Sequence, residues 1–400
     1  MRRSSSEYRQ EAQRTRSRTR IGDPAYAHAF NWLAYEMPVV SSSDHMERRA
    51  GQAIQRLHDE LHRLPFLSID RIRKGGSLGR RTLVAGNFDV DLLLFINGPL
   101  QYPHNWSPAE QLKLLKQVRE WLRQNSYPAV VEEEGTQYDD VLQVRVDDVE
   151  VDILLVPNMA HAAGATGDRS ELQRKALMQP VYDNPREHVR DQTREAGVAE
   201  SHTAFVADTP NGVKAVVRLL KAWYKYGLTE EKGSGSAHPA KVPSVALELL
   251  ALAAFQREAP PGSSEQQALE AASPAPSPTA AAVLSLSVFR TALRLLVEAV
   301  KERHVVTVDA GRWGCSRGTA MKFQHVWGDD EIRIIHPIDP TCNVARSRKL
   351  NPDWRALASE AQALLKVLEQ EPLEALLNAS TLGAALRRLA AIKGIYPPWQ

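Results

Sequence analysis

The sequence of 400 residues is short of cysteine, of net charge and of long apolar runs, and each shortage excludes a class of protein. Two cysteines, Cys315 and Cys342, cannot build a disulfide framework, so a reducing compartment, the cytoplasm or the nucleus, is the expectation. The longest apolar stretch, Val242 to Phe255, contains Glu248 and falls short of the roughly 20 residues that a spanning helix needs, so no membrane segment is expected. The start lacks the apolar core of a secretory signal; its Arg, Ser and Thr content would suit a transit peptide, and Glu7 and Glu11 count against one. Fifty Lys plus Arg against 48 Asp plus Glu leave a net charge of only +2, which excludes nucleic-acid binding by bulk positive charge. The charge is unevenly spread. Met1 to Arg20 hold seven Arg and two Glu, a local +5, so the remainder of the chain sums to −3 and any polyanion site there must be a local basic patch.

What is present describes a globular protein of two or three domains, with 43% hydrophobic and 24% charged residues. No internal repeat is visible, and no Gly-x-Gly-x-x-Gly follows a first strand, which disfavours a dinucleotide-binding fold. Tyr26 to Glu36 and His45 to Leu64 have helical patterns; in the second, Ile54, Leu57 and Leu61 fall on one face, and Pro65 stops the run. Ile69 to Lys74 and Asp89 to Ile96 have strand patterns, separated by the breaker Gly75-Gly76-Ser77. Trp106 to Gln124 is a predicted helix with Ser107 as N-cap and Pro108 at the first helical position, and Val130 to Glu134, Val141 to Val146 and Glu150 to Val156 are predicted strands. Past Pro157 the pattern is helical: Gly212 to Tyr226, Val283 to Lys301, and one or two Leu/Ala-rich helices over Trp354 to Ala391. Glu230 to Lys241 is predicted to be a flexible loop. A mixed sheet followed by a helical half is an α+β architecture. The expected division is a disordered basic tail over residues 1–22, a first domain over 23–210, and a helical domain over 211–400 with a disordered Pro/Ala/Ser-rich insert at 258–282.

The residues with chemistry begin at Gly76-Ser77, followed by Asp89-Val90-Asp91 in an apolar strand. Side chains two apart on a strand share a face, so Asp89 and Asp91 project together, and adjacent carboxylates repel unless a cation lies between them. Hard oxygen ligands suit Mg²⁺. The strand Glu150-Val151-Asp152-Ile153-Leu154 has the same alternation and adds Asp152 if it neighbours the first. Three such carboxylates can hold two metal ions about 4 Å apart for phosphoryl displacement. The Gly-Gly-Ser turn can offer backbone N–H groups and a hydroxyl to phosphate. On Gly212 to Tyr226, the spacing lines Lys214, Arg218, Lys221 and Lys225 along one face beside an apolar stripe of Val213, Val217, Leu220 and Tyr224, while Trp223 and Tyr224 are expected in the core. Cys315, His325 and His336 are too scattered to make a zinc site.

The blocks RKGGSLGRRT, NFDVDLLLFI, VEVDILLVP, PNGVKAVVRLLKAWYK, KVPSVALELLALAAF, FRTALRLLVE and IHPIDPTCNVARSRKLNPDWRALASEAQALL resemble, in order, those of the 2′-5′-oligoadenylate synthetases within the polymerase-β-like nucleotidyltransferases. The resemblance implies a nucleotidyltransferase lobe with a mixed sheet followed by a helical lobe, joining ATP into 2′-5′-linked oligoadenylates with release of pyrophosphate. It further implies Asp89, Asp91 and Asp152 as catalytic ligands of two Mg²⁺ ions, with Mn²⁺ as an alternative, and Asp152 as an aid to deprotonating the acceptor ribose hydroxyl. Gly76 and Ser77 would hold a donor phosphate, Arg80 would lie near the acceptor nucleotide, and Lys221 would contact the donor triphosphate. Two departures stand out. Ser244-Val245 replaces the family's Gln-Tyr before the Ala-Leu-Glu-Leu-Leu helix, which opens the question of base selectivity; Glu248 matches the family's acidic residue and has an equally good structural reading. Relatives are switched on by double-stranded RNA, yet Ser201 to Asn211 carries no Lys or Arg. Lys74, with Arg71 and Arg73 nearby, is the expected RNA contact, and RNA dependence stays open. A cyclic or mixed-base dinucleotide synthase and an inactive RNA-binding relative are the alternatives.

Overall fold

Alternating apolar residues in the first half and three-to-four spacing in the second resolve, in a computed structural model, into a sheet layered with helices and a helical lobe beside it. The structure describes residues 19–38, 45–86, 89–97, 107–125, 130–131, 141–147, 149–160, 168–228, 242–259, 278–346 and 352–394. Helices α1 (Pro24–Glu36) and α2 (His45–Leu61) precede β1 (Ser68–Lys74), β2 (Val90–Asn97), α3 (Pro108–Asn125), β3 (Val130–Val131), β4 (Val141–Val146) and β5 (Val149–Pro157). Then follow α4 (Arg169–Asp183), α5 (Gln192–Gly197), α6 (Ala199–Asp208), α7 (Asn211–Ala222) and α8 (Ser244–Glu258). After α9 (Pro278–Lys301), a short parallel pair β6 (Val305–Val306) and β7 (Arg333–Ile334) leads to α10 (Trp354–Gln370), α11 (Leu373–Ala379) and α12 (Thr381–Ile392). The C-terminal Leu/Ala-rich run is thus three helices, broken where Pro372 and Ser380 serve as N-caps. At α3 the expected cap is present, Ser107 Oγ accepting from Glu110 N at 3.2 Å.

The five-stranded sheet has the order β1-β2-β5-β4-β3; β2 and β5 run parallel and the other neighbours antiparallel. Alternation decides its two faces. Val90, Leu92, Leu94 and Ile96 of β2, with Val151, Ile153 and Leu155 of β5, pack against α2 and α3 in one core. Leu93, Phe95 and Val156 turn to the other face, toward Ala196 of α5 and Ala199 of α6. Asp91 and Asp152 stand on that second face by the same alternation.

The helical core is larger and includes α1. Tyr26, Phe30, Leu33 and Met37 are buried with residues of α7, α8, α9 and α10, and Phe30 meets Phe289 of α9 at 5.3 Å between ring centres. Helix α1, expected with the first domain, therefore packs within the helical core, because its apolar residues leave little polar face to solvate. Residues 1–18 of the expected tail lie outside the described residues, but Thr19 is buried and its carbonyl accepts from Leu373 N at 3.2 Å, which fixes the end of that segment to α11. Most of the 258–282 insert and of the loop at 230–241 also lies outside them; Pro278 to Ala282 already belong to α9. Among the described residues, no helix is long and apolar enough to cross a membrane.

Candidate active site

Parallel pairing of β2 with β5 sets Asp91 directly opposite Asp152, so that a juxtaposition which the sequence left conditional is built by the register. Both are partly buried. Burial, helped by the carboxylates of Asp152 and Asp89 and opposed by Arg80 and Lys221, pushes the Asp91 carboxyl up to about 6. Burial likewise raises the Asp152 carboxyl, with Gln143 lowering it by a hydrogen bond and Asp89 raising it. Asp89 differs from the expectation. The strand begins one residue later, at Val90, and Asp89 is exposed just ahead of it. Among the described residues no group of three acidic, His or Cys side chains is gathered closely enough to enclose a metal ion. The Asp91–Asp152 pair nevertheless fits a hard divalent cation, since its oxygens are the right donors and its charge crowding is of the kind that a cation relieves.

The segment after β1 is built against this pair. Gly75 N donates to the Asp91 carbonyl at 2.8 Å. Gly76 has φ +52, and a Cβ there would come within 1.5 Å of Asp91 Oδ2, so only glycine allows this approach of backbone to carboxylate. Ser77 follows in a single helical turn, Gly76–Gly79, and its carbonyl accepts from Thr82 N at 2.9 Å.

On the other side of Ser77 lies a buried cluster that the sequence revealed only in part. Lys221 Nζ donates to Ser77 Oγ at 3.1 Å, to Thr82 Oγ1 at 2.9 Å and to Glu248 Oε2 at 3.2 Å. Glu248 is fully buried; Arg80 Nε lies 2.8 Å from its Oε1, and Thr82 Oγ1 donates to its Oε2 at 3.0 Å. Burial opposes the glutamate's charge, but Arg80 and Lys221 overcome it and hold the carboxyl down at about 2. Burial pushes Lys221 down to about 8, and although Glu248 holds it up, the neighbouring Arg80 does not. The asymmetry follows from the count: two cations share one anion. The lysine face of α7 is accordingly not a solvated one. Lys214 is buried and donates to Ala207 O at 2.5 Å, Arg218 donates to Arg81 O at 2.9 Å, and Val213, Val217, Leu220 and Tyr224 are buried beside them. Trp223 is in the core, as expected, its Nε1 donating to Thr381 Oγ1 at 2.9 Å.

Of the residues expected to meet RNA, Arg73 and Lys74 are exposed, whereas Arg71 is turned inward. Its guanidinium lies 3.7 Å from the Phe95 ring centre, donates to Asp70, Asn158 and Glu200, and is held by position on the α5/α6 side of the sheet. By the alternation of β1, Arg71 and Arg73 share a face, and the inner of the two is covered. Arg73 pairs with Glu200 at 2.8 Å. Two members of the buried network, Thr82 and His202, carried no signal in the sequence, and His336 stood out there only as one of a scattered Cys and His set. Ser244 is exposed at the start of α8 and Val245 is partly buried against the helical core.

Comparison with known proteins agrees with this architecture. A family model described as 2′-5′-oligoadenylate synthetase 1, domain 2, C-terminus, matches residues 181–270, which include Lys221 and Glu248. The chain is 28% identical over 336 residues to 2′-5′-oligoadenylate synthase 3 of Mus musculus, covering 80% of this chain and 26% of that protein. It is 24% identical over 314 residues to 2′-5′-oligoadenylate synthase 1A of Rattus norvegicus, covering 74% and 77%. The chain thus spans about a quarter of the first relative and about three quarters of the second. In structure it is similar to a cytoplasmic RNA terminal U-transferase, with TM-score 0.51, 14% identity, and 90% and 97% of the two chains covered. It is also similar to a chain of the E. coli MS115-1 CdnC:HORMA-deltaN complex, with TM-score 0.50, 17% identity, and 93% and 98% covered. At such identities these likenesses are of fold. Through its ordered sequence blocks, its matched C-terminal segment and its α+β architecture, the chain is similar to the 2′-5′-oligoadenylate synthetases.

Proposed function

We propose that the protein joins ATP into 2′-5′-linked oligoadenylates and releases pyrophosphate. The observation that carries this reading is the in-register Asp91–Asp152 pair beside Gly76-Ser77, with the Lys221 ammonium on the Ser77 hydroxyl. Asp91 and Asp152 would hold divalent metal, with Asp89 as the third donor, and two bound Mg²⁺ ions, or Mn²⁺ in their place, supply a more acidic acceptor hydroxyl and charge neutralisation at the triphosphate. The chain's own groups do the rest. Gly76 lets the backbone come close to a phosphate, and Ser77 offers its hydroxyl. Lys221 and Arg80, against the single carboxylate of Glu248, leave one net positive charge behind that hydroxyl to favour the donor triphosphate. In the transfer, the acceptor 2′-oxygen bonds to the α-phosphorus, the bond from that phosphorus to the bridging oxygen breaks, and pyrophosphate leaves with the electron pair. The hydroxyl proton would pass to a carboxylate, for which Asp152 is placed by its register opposite Asp91.

A second reading, synthesis of a cyclic or mixed-base dinucleotide, is favoured by the exposed Ser244 and aliphatic Val245 where an amide and an aromatic ring would select adenine. Stimulation by double-stranded RNA draws on fewer residues than the family resemblance implies, since the buried Arg71 guanidinium is already engaged and only Arg73 and Lys74 of that group are exposed. An inactive, RNA-binding protein is disfavoured by the presence of all three aspartates. The test is incubation of the purified protein with labelled ATP, and separately with mixed nucleoside triphosphates, in Mg²⁺, with and without double-stranded RNA. Linear 2′-5′ adenylates, identified by mass spectrometry and nuclease sensitivity, are the expected product; cyclic or guanine-containing products favour the second reading, and no pyrophosphate release under any condition rejects both.

A further inference from the structure

Glu248 is approached from a third side by a chain of two histidines that reaches it from the turn after β7. His336, two residues beyond that strand, is buried, and its Nδ1 accepts from two backbone groups, Ile338 N at 3.2 Å and Asp339 N at 3.0 Å. A backbone N–H can only donate, so Nδ1 carries no proton and the ring's one proton is on Nε2. That Nε2 faces His202 Nδ1 at 3.2 Å, the two rings meeting edge to face at 82°. His202 Nδ1 is therefore an acceptor too, and its proton must sit on Nε2, which points at Glu248 Oε1 from 3.6 Å and has no hydrogen bond of its own. Every N–H along this line points the same way, from the backbone of the turn to the carboxylate.

The turn at the far end is fixed. Asp339, fully buried, accepts from Arg194 Nε at 2.9 Å and from Thr341 N at 3.0 Å; Tyr182 donates to Ile338 O at 2.5 Å, and Trp327 Nε1 to Pro340 O at 3.0 Å. The near end is the shared anion. Its Oε2 accepts from Lys221, Thr82 and Arg80, while Oε1 accepts no hydrogen bond and faces the Arg80 guanidinium and the His202 ring. With both Nδ1 atoms already occupied by donors, neither ring has room for a second proton, so the histidines direct a dipole at Glu248 without adding to the net charge behind Ser77.

We propose that His202 and His336 are positioning residues: their line of one-way N–H groups ends 3.6 Å from Oε1, the Glu248 oxygen that has no hydrogen bond, and its dipole fixes the rotation of the carboxylate and so holds Lys221 and Arg80 where a donor triphosphate is to be bound. This rests on the nucleotidyltransferase reading above, and it adds a contribution from the far side of the helical lobe to a site whose carboxylates lie on the sheet. Burial lowers the pKa of both imidazoles, in keeping with two neutral rings.

The test compares equilibrium binding of ATP with Mg²⁺ by wild type, His202→Leu, His202→Gln and His336→Leu, each checked for folding by circular dichroism and its unfolding midpoint. Leucine at either position removes an N–H from the line, and about tenfold weaker ATP binding is expected, the upper end of what one neutral hydrogen-bonding group contributes. Glutamine at position 202 keeps an N–H₂ that reaches Glu248 and should restore binding to within about threefold of wild type. A folded His202→Leu protein that binds ATP as tightly as wild type overturns the proposal, as does a glutamine variant no better than leucine, which would assign His202 to packing. Independently of ATP, nitrogen NMR of ¹⁵N-histidine-labelled wild type at neutral pH should show, for the two signals lost in His202→Gln and His336→Leu, an unprotonated Nδ1 and a protonated Nε2. A protonated Nδ1 on either ring overturns the line even if the leucine variants fail to fold. Wild type that binds no ATP, with the tautomers as stated, rejects the functional reading and leaves the two histidines as structural.

Discussion

Two charged clusters flank Gly76-Ser77, and they are built in opposite ways. On the sheet side, Asp91 and Asp152 are like charges placed in register, with burial and mutual repulsion both raising the cost of ionising them. On the helical side, Lys221, Arg80 and Glu248 are opposite charges, buried and hydrogen-bonded to one another and to Thr82 and Ser77. The first cluster is in deficit of a cation that the chain does not supply; the second is nearly closed on itself. A buried charge is tolerated in a fold either because a partner is built in or because function brings one. Having both within one residue of each other is what lets a short turn present phosphate-binding groups between a metal site and a fixed positive charge.

The contrast is broken most severely by removing the shared anion. Glu248→Ala leaves two buried cations without their partner, and a loss of about 3–5 kcal/mol is expected in denaturant unfolding. If stability falls by less than about 1 kcal/mol, the helical cluster is not a closed unit. On the sheet side the same kind of change should act in reverse. Asp91→Asn is expected to lower pyrophosphate release by at least about 100-fold while leaving the unfolding midpoint unchanged or raised, because the carboxylate it replaces is one that the fold disfavours. A variant that keeps its turnover removes Asp91 from the metal site.

A smaller effect is expected where the clusters meet. In Gly76→Ala the new methyl group would overlap the Asp91 carboxylate in a backbone conformation with φ +52. The strain alone is about 1–2 kcal/mol, and the displaced carboxylate should weaken Mg²⁺ binding, measured by calorimetry, more than it weakens folding. The smallest effect is graded and separates the clusters by pH. Asp91 is ionised only above about 6, so Mg²⁺ affinity should fall as pH drops through that value; Lys221 loses its proton above about 8, so ATP affinity should fall as pH rises past it. The stability signs also differ. The raised Asp91 pKa means that the folded state binds more protons than the unfolded between about 4 and 6, so this group makes the protein less stable as pH rises through that window. The depressed Glu248 pKa gives stability that is present above about 4.5 and lost as pH falls toward 2. Urea titrations of wild type and Glu248→Gln across this range should show the acid dependence weakened in the variant; equal slopes would refute the assignment.

How much of this was legible beforehand depends on the reach of each interaction. The strand periodicity of residues 89–96 and 150–156 was readable because a side chain's face on a strand is set by its own position, two residues at a time. The Ser107 cap and the spacing on α7 were readable for the same local reason. The first residue of β2 was not: Asp89 is exposed ahead of the strand because β5 pairs only from Val90 onward. Nor was the burial of the lysine face of α7, since spacing says which residues share a face and is silent on what covers it. Arg71 shows the limit from the other direction. As a charged residue near a glycine turn it looked available to a polyanion, and it is instead enclosed by Asp70, Glu200 and the Phe95 ring.

By itself the sequence determined most of the strands and helices, the glycine turn, the strand face of Asp91 and of Asp152, and the resemblance to the 2′-5′-oligoadenylate synthetases. The tertiary structure alone decided which charges compensate which. Thr82 meets Glu248 across 166 residues of chain, and His336 meets His202 across 134. Hydrogen bonds and ion pairs of that kind have no period in the sequence; they exist only once hydrophobic packing has brought α6, α7, α8 and the turn after β7 against the segment following β1, and there the low polarity of the interior makes each of them decisive.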